Sequence, residues 1–192
     1  MHIAFIISKN TTMKIKTLIA LLLLTLSTTA FTGMQGWYTL ETKSYKIVFP
    51  KTPTPSSQDI DSDIGKLTLN LHIYEVPENV NDSNQLYLLN ETAYPDSLIN
   101  SGKKEILESF FKNAIAGSVK NVQGKVLAEK NIELSGYPGR EISVDYQNGS
   151  YVIKMRIYLV KNIVYMLQTI YETQKQSNSS AARFFNSFQL RF

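Results

Sequence analysis

The chain has 192 residues, 43% of them apolar, no cysteine and a formal charge of +4. That length and apolar share suit one folded domain rather than a disordered chain, and the missing thiols exclude disulfides, cysteine nucleophiles and thiolate-bound metal. Lys9, Lys14 and Lys16 stand in an N-terminal segment without acidic residues; beyond it 17 basic residues face 16 acidic ones, which leaves no global field for nucleic acid or anionic lipid.

Residues 1–30 read as a secretory signal. Lys14 and Lys16 form its positive start, residues 18–26 its apolar stretch, and Thr28, Thr29 and Ala30 the small residues of a cleavage site. The apolar stretch falls short of the roughly 20 residues that span a bilayer. Met13 opens a signal of ordinary layout and is read as the true start, with cleavage expected near Ala30 and Thr32 or Gly33 as alternatives. Residues 31–36 are then a short linker to a single domain over 37–192. A cleaved leader with no cysteine behind it excludes a lipid anchor, so a periplasmic or secreted location is expected.

The domain is expected to open with a strand over 37–50, in which Tyr45, Ile47 and Phe49 alternate with polar residues until Pro50, Pro53 and Pro55 stop it. Residues 56–65 read as a polar, turn-rich loop. Residues 66–76 follow as a strand with Leu67, Leu69, Leu71 and Ile73 on one face, and 85–94 as another after a polar loop. Over 101–119 the period changes. Ile106, Leu107, Phe110, Phe111 and Ile115 make one helical stripe, with Ser101 as the expected N-cap and Gly117 at the fraying end.

The second half reads as a meander. A strand over 125–134 leads to the turn Gly136-Tyr137-Pro138-Gly139, in which Gly139 is expected at positive φ. Residues 140–146 and 151–160 are joined by Asn148-Gly149 as a type I′ hairpin, and Lys161-Asn162 reverses the chain into 163–171. In that last strand Ile163, Tyr165 and Leu167 take one face and Val164, Met166 and Ile170 the other, so both faces of the sheet ask for cover. The helix around Phe110 supplies one cover. A C-terminal helix from about Ser179, with Ala181, Phe184, Phe185 and Phe188 behind serine caps, supplies the other. The expected fold is α+β, a three-layer α/β/α sandwich on a largely antiparallel sheet.

Reactive groups are few. Only His2 and His72 could serve as histidine bases or ligands, and His72 reads as a solvated strand residue, so zinc, haem and copper sites and Ser-His-Asp chemistry find no set of residues. Asp59, Asp61 and Asp63 alternate as ligands of a hard cation such as calcium would. The EF-hand pattern fails there, because Gly65 falls one position late and Asn70 stands where glutamate is needed, so a solvated loop is the favoured reading of the acids. Arg140, Glu141, Asp145, Lys154 and Arg156 read as cross-strand ion pairs on the less buried face or as a contact for a partner. No cofactor is expected.

The strand ending in Phe49-Pro50, the run Gly136-Tyr137-Pro138-Gly139-Arg140-Glu141, the paired strands around Arg156-Ile157-Tyr158 and Tyr165, and the closing Phe184-Phe185-Asn186-Ser187-Phe188 together resemble the PsbP-like family. That family shares its α/β/α sandwich with the yeast Ran-binding Mog proteins. The resemblance implies a fold and a style of work, the binding or stabilising of other proteins without catalysis. Photosystem-associated members use histidines near metals, and this sequence lacks them, so no metal role carries over. The expected function is therefore a non-enzymatic partner protein of the cell envelope, bound to another envelope protein, with Tyr137, Arg140 and Glu141 as candidate contacts. Two other classes stand beside it: a small-ligand or glycan binder using the tyrosines, and a hydrolase using carboxylates such as Glu75 or Asp145.

Overall fold

Alternating apolar and polar residues carry most of the chain into strands. The computed structural model describes residues 36–62, 64–175 and 178–191; the expected signal and its cleavage site, and Asp63, lie outside them. Among the described residues the elements are β1 (Tyr38–Glu41), β2 (Tyr45–Phe49), β3 (Thr54–Ser62), β4 (Gly65–Glu75), β5 (Asn84–Ala93), α1 (Lys104–Asn121), β6 (Lys125–Leu134), β7 (Tyr137–Tyr146), β8 (Tyr151–Val160), β9 (Ile163–Glu172), α2 (Ser179–Asn186) and β10 (Gln189–Leu190). Seven strands form one antiparallel sheet in the order β3-β4-β5-β9-β8-β7-β6, and β1-β2-β10 form a small second sheet.

Successive residues of β8 enter different clusters. Ile153, Met155, Ile157 and Leu159 pack with Phe111 and Ile115 of α1, whereas Tyr158 and Val160 pack with Phe184 and Phe185 of α2 and with Tyr45, Ile47 and Phe49 of β2. Because neighbouring residues of a strand point to opposite sides, the two helices stand over opposite faces of the large sheet. Leu69, Leu71 and Leu88 continue the α1 face toward β3 and share Met166 with its cluster. The α2 side is rich in rings: Phe184 meets Phe49 at 5.1 Å and Tyr87 at 5.3 Å between centroids.

Helix α2 is short and is pinned at both ends. The Asn178 side chain accepts from the Ala181 backbone at 2.9 Å and exchanges hydrogen bonds with the Asn84 amide, which also donates to the Tyr87 hydroxyl at 2.6 Å. At the other end Ser187 Oγ accepts from Val48 N of β2 at 3.0 Å.

Several expectations change. The strand expected over 37–50 is a hairpin, because Thr42 Oγ1 accepts from the backbone of Ser44 and Tyr45, both at 3.1 Å, and turns the chain. The polar run expected as a loop over 56–65 is instead β3, an edge strand whose side chains can stay in water while one backbone ladder is satisfied. Ser101 does not cap α1; its hydroxyl accepts from Lys161 N at 3.0 Å, Lys103 precedes the helix without a side-chain cap, and the helix runs past Gly117 to Asn121. Asn178 rather than a serine caps α2. The loop over 147–150 is longer than a two-residue turn, with Gln147, Asn148 and Gly149 all at positive φ.

The turn before β7 also moves. Ser135 and Gly136 take the positive φ values, 51° and 83°, and Pro138 and Gly139 already lie in the strand. Gly139 is required for space: a Cβ there would stand 2.6 Å from Tyr158 Cδ1 and 2.7 Å from the Ile157 carbonyl. Gly139→Ala should therefore lower stability by about 2–3 kcal/mol, read as a drop in the urea midpoint followed by Trp37 fluorescence. An unchanged midpoint would show that β8 yields without cost.

Candidate functional site

Arg140 and Glu141 are consecutive in β7, so their side chains leave opposite faces of the sheet. Both are expected on the less buried face, yet each is only 8% exposed. Arg140 lies beneath α1, with Nη2 donating to Glu108 Oε2 at 2.7 Å, Nε 3.5 Å from Glu129 Oε1, and the guanidinium 4.6 Å from the centre of the Phe111 ring. It fastens the helix to β6 and β7.

Glu141 faces the α2 side, where strand register brings three cations to it. Arg156 Nε lies at 2.6 Å, Lys130 Nζ at 3.1 Å and Lys154 Nζ at 3.2 Å. Arg156 also donates to Asn186 Oδ1 at 3.0 Å and stands 5.2 Å from the Phe185 ring centre. Burial alone would raise the Glu141 carboxyl, but hydrogen bonds from Arg156 and Lys130 and the charges of Arg156 and Lys154 outweigh it and hold the group at about 2. Three cations around one carboxylate leave a local excess of positive charge.

The other sequence candidates are scattered. Tyr137 is half-buried against the aromatic cluster beneath α2. Asp145 accepts from Gly149 N at 2.6 Å rather than joining the Glu141 network. Glu75 lies on β4, separated from the strand of Asp145 by β5, β9 and β8. Asp59 takes a hydrogen bond from Thr68 at 2.7 Å and pairs with Lys66 at 2.8 Å, which lowers its carboxyl. Among the described residues no group of three or more histidine, cysteine or acidic side chains is placed to hold a metal ion. His72 is half-buried rather than solvated, opposite Leu89 and Pro55, and burial lowers its pKa. Glu91, half-buried on β5 with the Tyr165 hydroxyl 3.3 Å away, has its carboxyl raised by burial.

A groove of about 620 Å³, which is not among the sequence expectations, lies between α1 and β6. Ile115, Ala116 and Val119 of the helix and Val126 of the strand make its apolar floor, and Glu108 and Glu129 stand on its rim. Val126 and the adjacent Leu127 are 37% and 56% exposed. The signal was present in β6 itself, where Lys125, Glu129, Lys130 and Glu133 interrupt the apolar residues so that neither face reads as core.

No family model matches the chain, and no curated protein matches it. Among solved structures it is similar to the solution structure of cyanobacterial PsbP from Synechocystis sp. PCC 6803, with 10% sequence identity, 86% of this chain and 98% of that chain covered, and a TM-score of 0.42. No helix of the described residues is long and apolar enough to cross a membrane.

The Glu141 network sets a pH dependence. Its folded value of about 2 lies below the unfolded value of about 4.3, so its contribution, about 3 kcal/mol, is complete above that pH and is lost as pH falls toward 2. Glu141→Gln should cost about 3 kcal/mol at pH 7, because three cations then lose their common partner. Urea midpoints of the variant and the parent should converge as the pH is lowered through that window. A constant gap would mean the carboxylate is not the group that titrates.

Proposed function

We propose that the chain is an exported, non-enzymatic protein that binds or stabilises another protein of the cell envelope, on a three-layer α/β/α sandwich of PsbP-like type. The observation that carries the binding half is the groove between α1 and β6, an open trough with an apolar floor and charged rim beside the exposed Val126 and Leu127. An apolar strip bounded by charge suits a polypeptide surface better than an enclosed small molecule, which needs most of its own area buried. The export half rests on the leader in residues 1–30, with its lysines, its short apolar stretch and the small residues up to Ala30.

Two measurements test this reading. N-terminal sequencing of the protein from its native host should find the chain starting just after Ala30, Thr32 or Gly33; a start at Met1 or Met13 removes export by this leader. A photo-crosslinker placed at Leu127 in the native host should give one discrete adduct, and the same group at Ser57 on the opposite sheet edge should give none. Absence of any adduct at Leu127 would sink partner binding through this surface.

A further inference from the structure

Two strands end the large sheet, and they are built differently. At one end β3 carries Pro55, Asp59 and Asp61 with Ser56, Ser57 and Gln58 between them. Proline lacks a donor, and apart from Ile60 this edge offers a further strand no large apolar side chain; β6 is charged as well, at Lys125, Glu129, Lys130 and Glu133, and differs in its exposed Val126 and Leu127. At the other end β6 carries Val126, Leu127 and Ala128 in succession, with the first two well exposed. Its outer backbone has no strand beside it among the described residues. The register slips between Val126 and Ala128, yet from Ala128 to Leu134 the ladder with β7 is regular, which leaves a straight edge for pairing.

We propose that β6 is a strand-addition site that takes up one extended segment of another protein, a segment presenting an apolar side chain toward α1 and an acidic one toward Lys130. This rests on the partner-binding reading above and names the mode and chemistry of the contact.

The two faces of β6 dictate that chemistry. Val126 pairs with Val144 on the α1 face, where Ile115, Ala116 and Val119 complete the groove. A strand laid beside β6 would hang every second side chain over this apolar floor. On the other face Lys130 pairs with Glu141, whose carboxylate is already shared by Lys154 and Arg156. Lys130 is the outermost of the three cations, its side chain 63% exposed, so a carboxylate on the added strand meets the unbalanced positive charge there. A second copy of this chain fits poorly. Side chains opposed across an antiparallel pair share a face, and the registers that centre β6 on its own copy set Glu129 against Glu129 or Lys130 against Lys130. Like charges directly opposite are destabilising, so the pattern selects a foreign strand.

The full chain is titrated with a fluorescein-labelled peptide of about ten residues alternating valine with glutamate, the length of a long natural strand. Anisotropy should show saturable one-to-one binding, and amide hydrogen exchange should slow along β6. Lys130→Glu and Val126→Asp should each weaken binding about tenfold or more, as should a peptide alternating valine with lysine. Val126 is exposed, so Val126→Asp should keep the parent circular dichroism; Lys130→Glu also sets a carboxylate beside Glu141, so Lys130→Gln, which removes the charge without that clash, is read with it and should weaken binding too. Equal affinity for the two peptides, equal affinity of parent and variants, slowed exchange at β3 instead of β6, or a concentration-dependent dimer closing through β6 would each overturn strand addition. The crosslinking at Leu127 separates the two levels. An adduct that survives both substitutions while the peptide fails to bind leaves partner binding standing and removes strand addition. No adduct from parent or variants removes both.

Discussion

The structure depends on the two-sided burial of its central strands. In β8 and β9, Leu159 and Val160, or Val164 and Tyr165, are adjacent in sequence, point to opposite faces, and are all buried. Each such side chain contributes roughly 1.5–3 kcal/mol when removed from water, so neither face can be left open. One helix on each side answers the demand, and the answers differ in kind. Helix α1 spans 18 residues and lays Phe111 and Ile115 on the sheet. Helix α2 has only 8 residues, too few to hold together alone, and persists because Phe184 is locked among rings of β2 and β5, Phe185 lies against Phe184 and Arg156, and side-chain bonds hold Asn178 and Ser187.

Arg140 and Glu141 show how polar residues serve the same layering. Burying a charge is costly unless it is paired and hydrogen-bonded, and here two opposite charges are buried at adjacent backbone positions. Alternation sends them to opposite sides, so they do not neutralise each other, and each recruits its own partners. The arginine gathers a glutamate from α1, another from β6 and the face of Phe111. The glutamate gathers cations from β6 and β8, and through Arg156 reaches the last residue of α2. Each charge thus binds the sheet to the helix on its own side.

Strand periodicity and the apolar stripe of α1 were legible because burial is two-sided or one-sided in a regular way along 66–76, 101–119 and 163–171. What was not legible were features decided by tertiary partners. Gly139 reads as a turn glycine, but its role is set by Tyr158, which comes from a strand brought alongside by the sheet. Ser101 has the side chain of a cap, yet its hydroxyl is taken by Lys161 N, sixty positions away. The residues 56–62 look like a loop because an edge strand exposed to water has no apolar face to betray it. For the site, the strand expected over 140–146 already sends Arg140 and Glu141 to opposite faces; what the sequence did not show is that both faces are buried there and which partners each charge meets. The apolar residues of β6 were visible, but the groove takes its other wall from α1 across the turn at 122–124, and that pairing was not.

With α1 and α2 on opposite faces, the margins of the sheet become its accessible backbone, and the buried arginine shapes one of them. Arg140 binds Glu108 on the helix and Glu129 on β6, the two acids on the rim of the groove. It therefore ties helix and edge strand together at that end, and farther along α1 Ala116 and Val119 line the groove beside Val126. A residue buried beneath α1 thus ties together the two elements that border the groove. On the reverse face Glu141 does the equivalent for charge: it gathers three cations and neutralises one, so Lys130 at the margin keeps its positive character. The two residues most conspicuous in the sequence act on the edge from within.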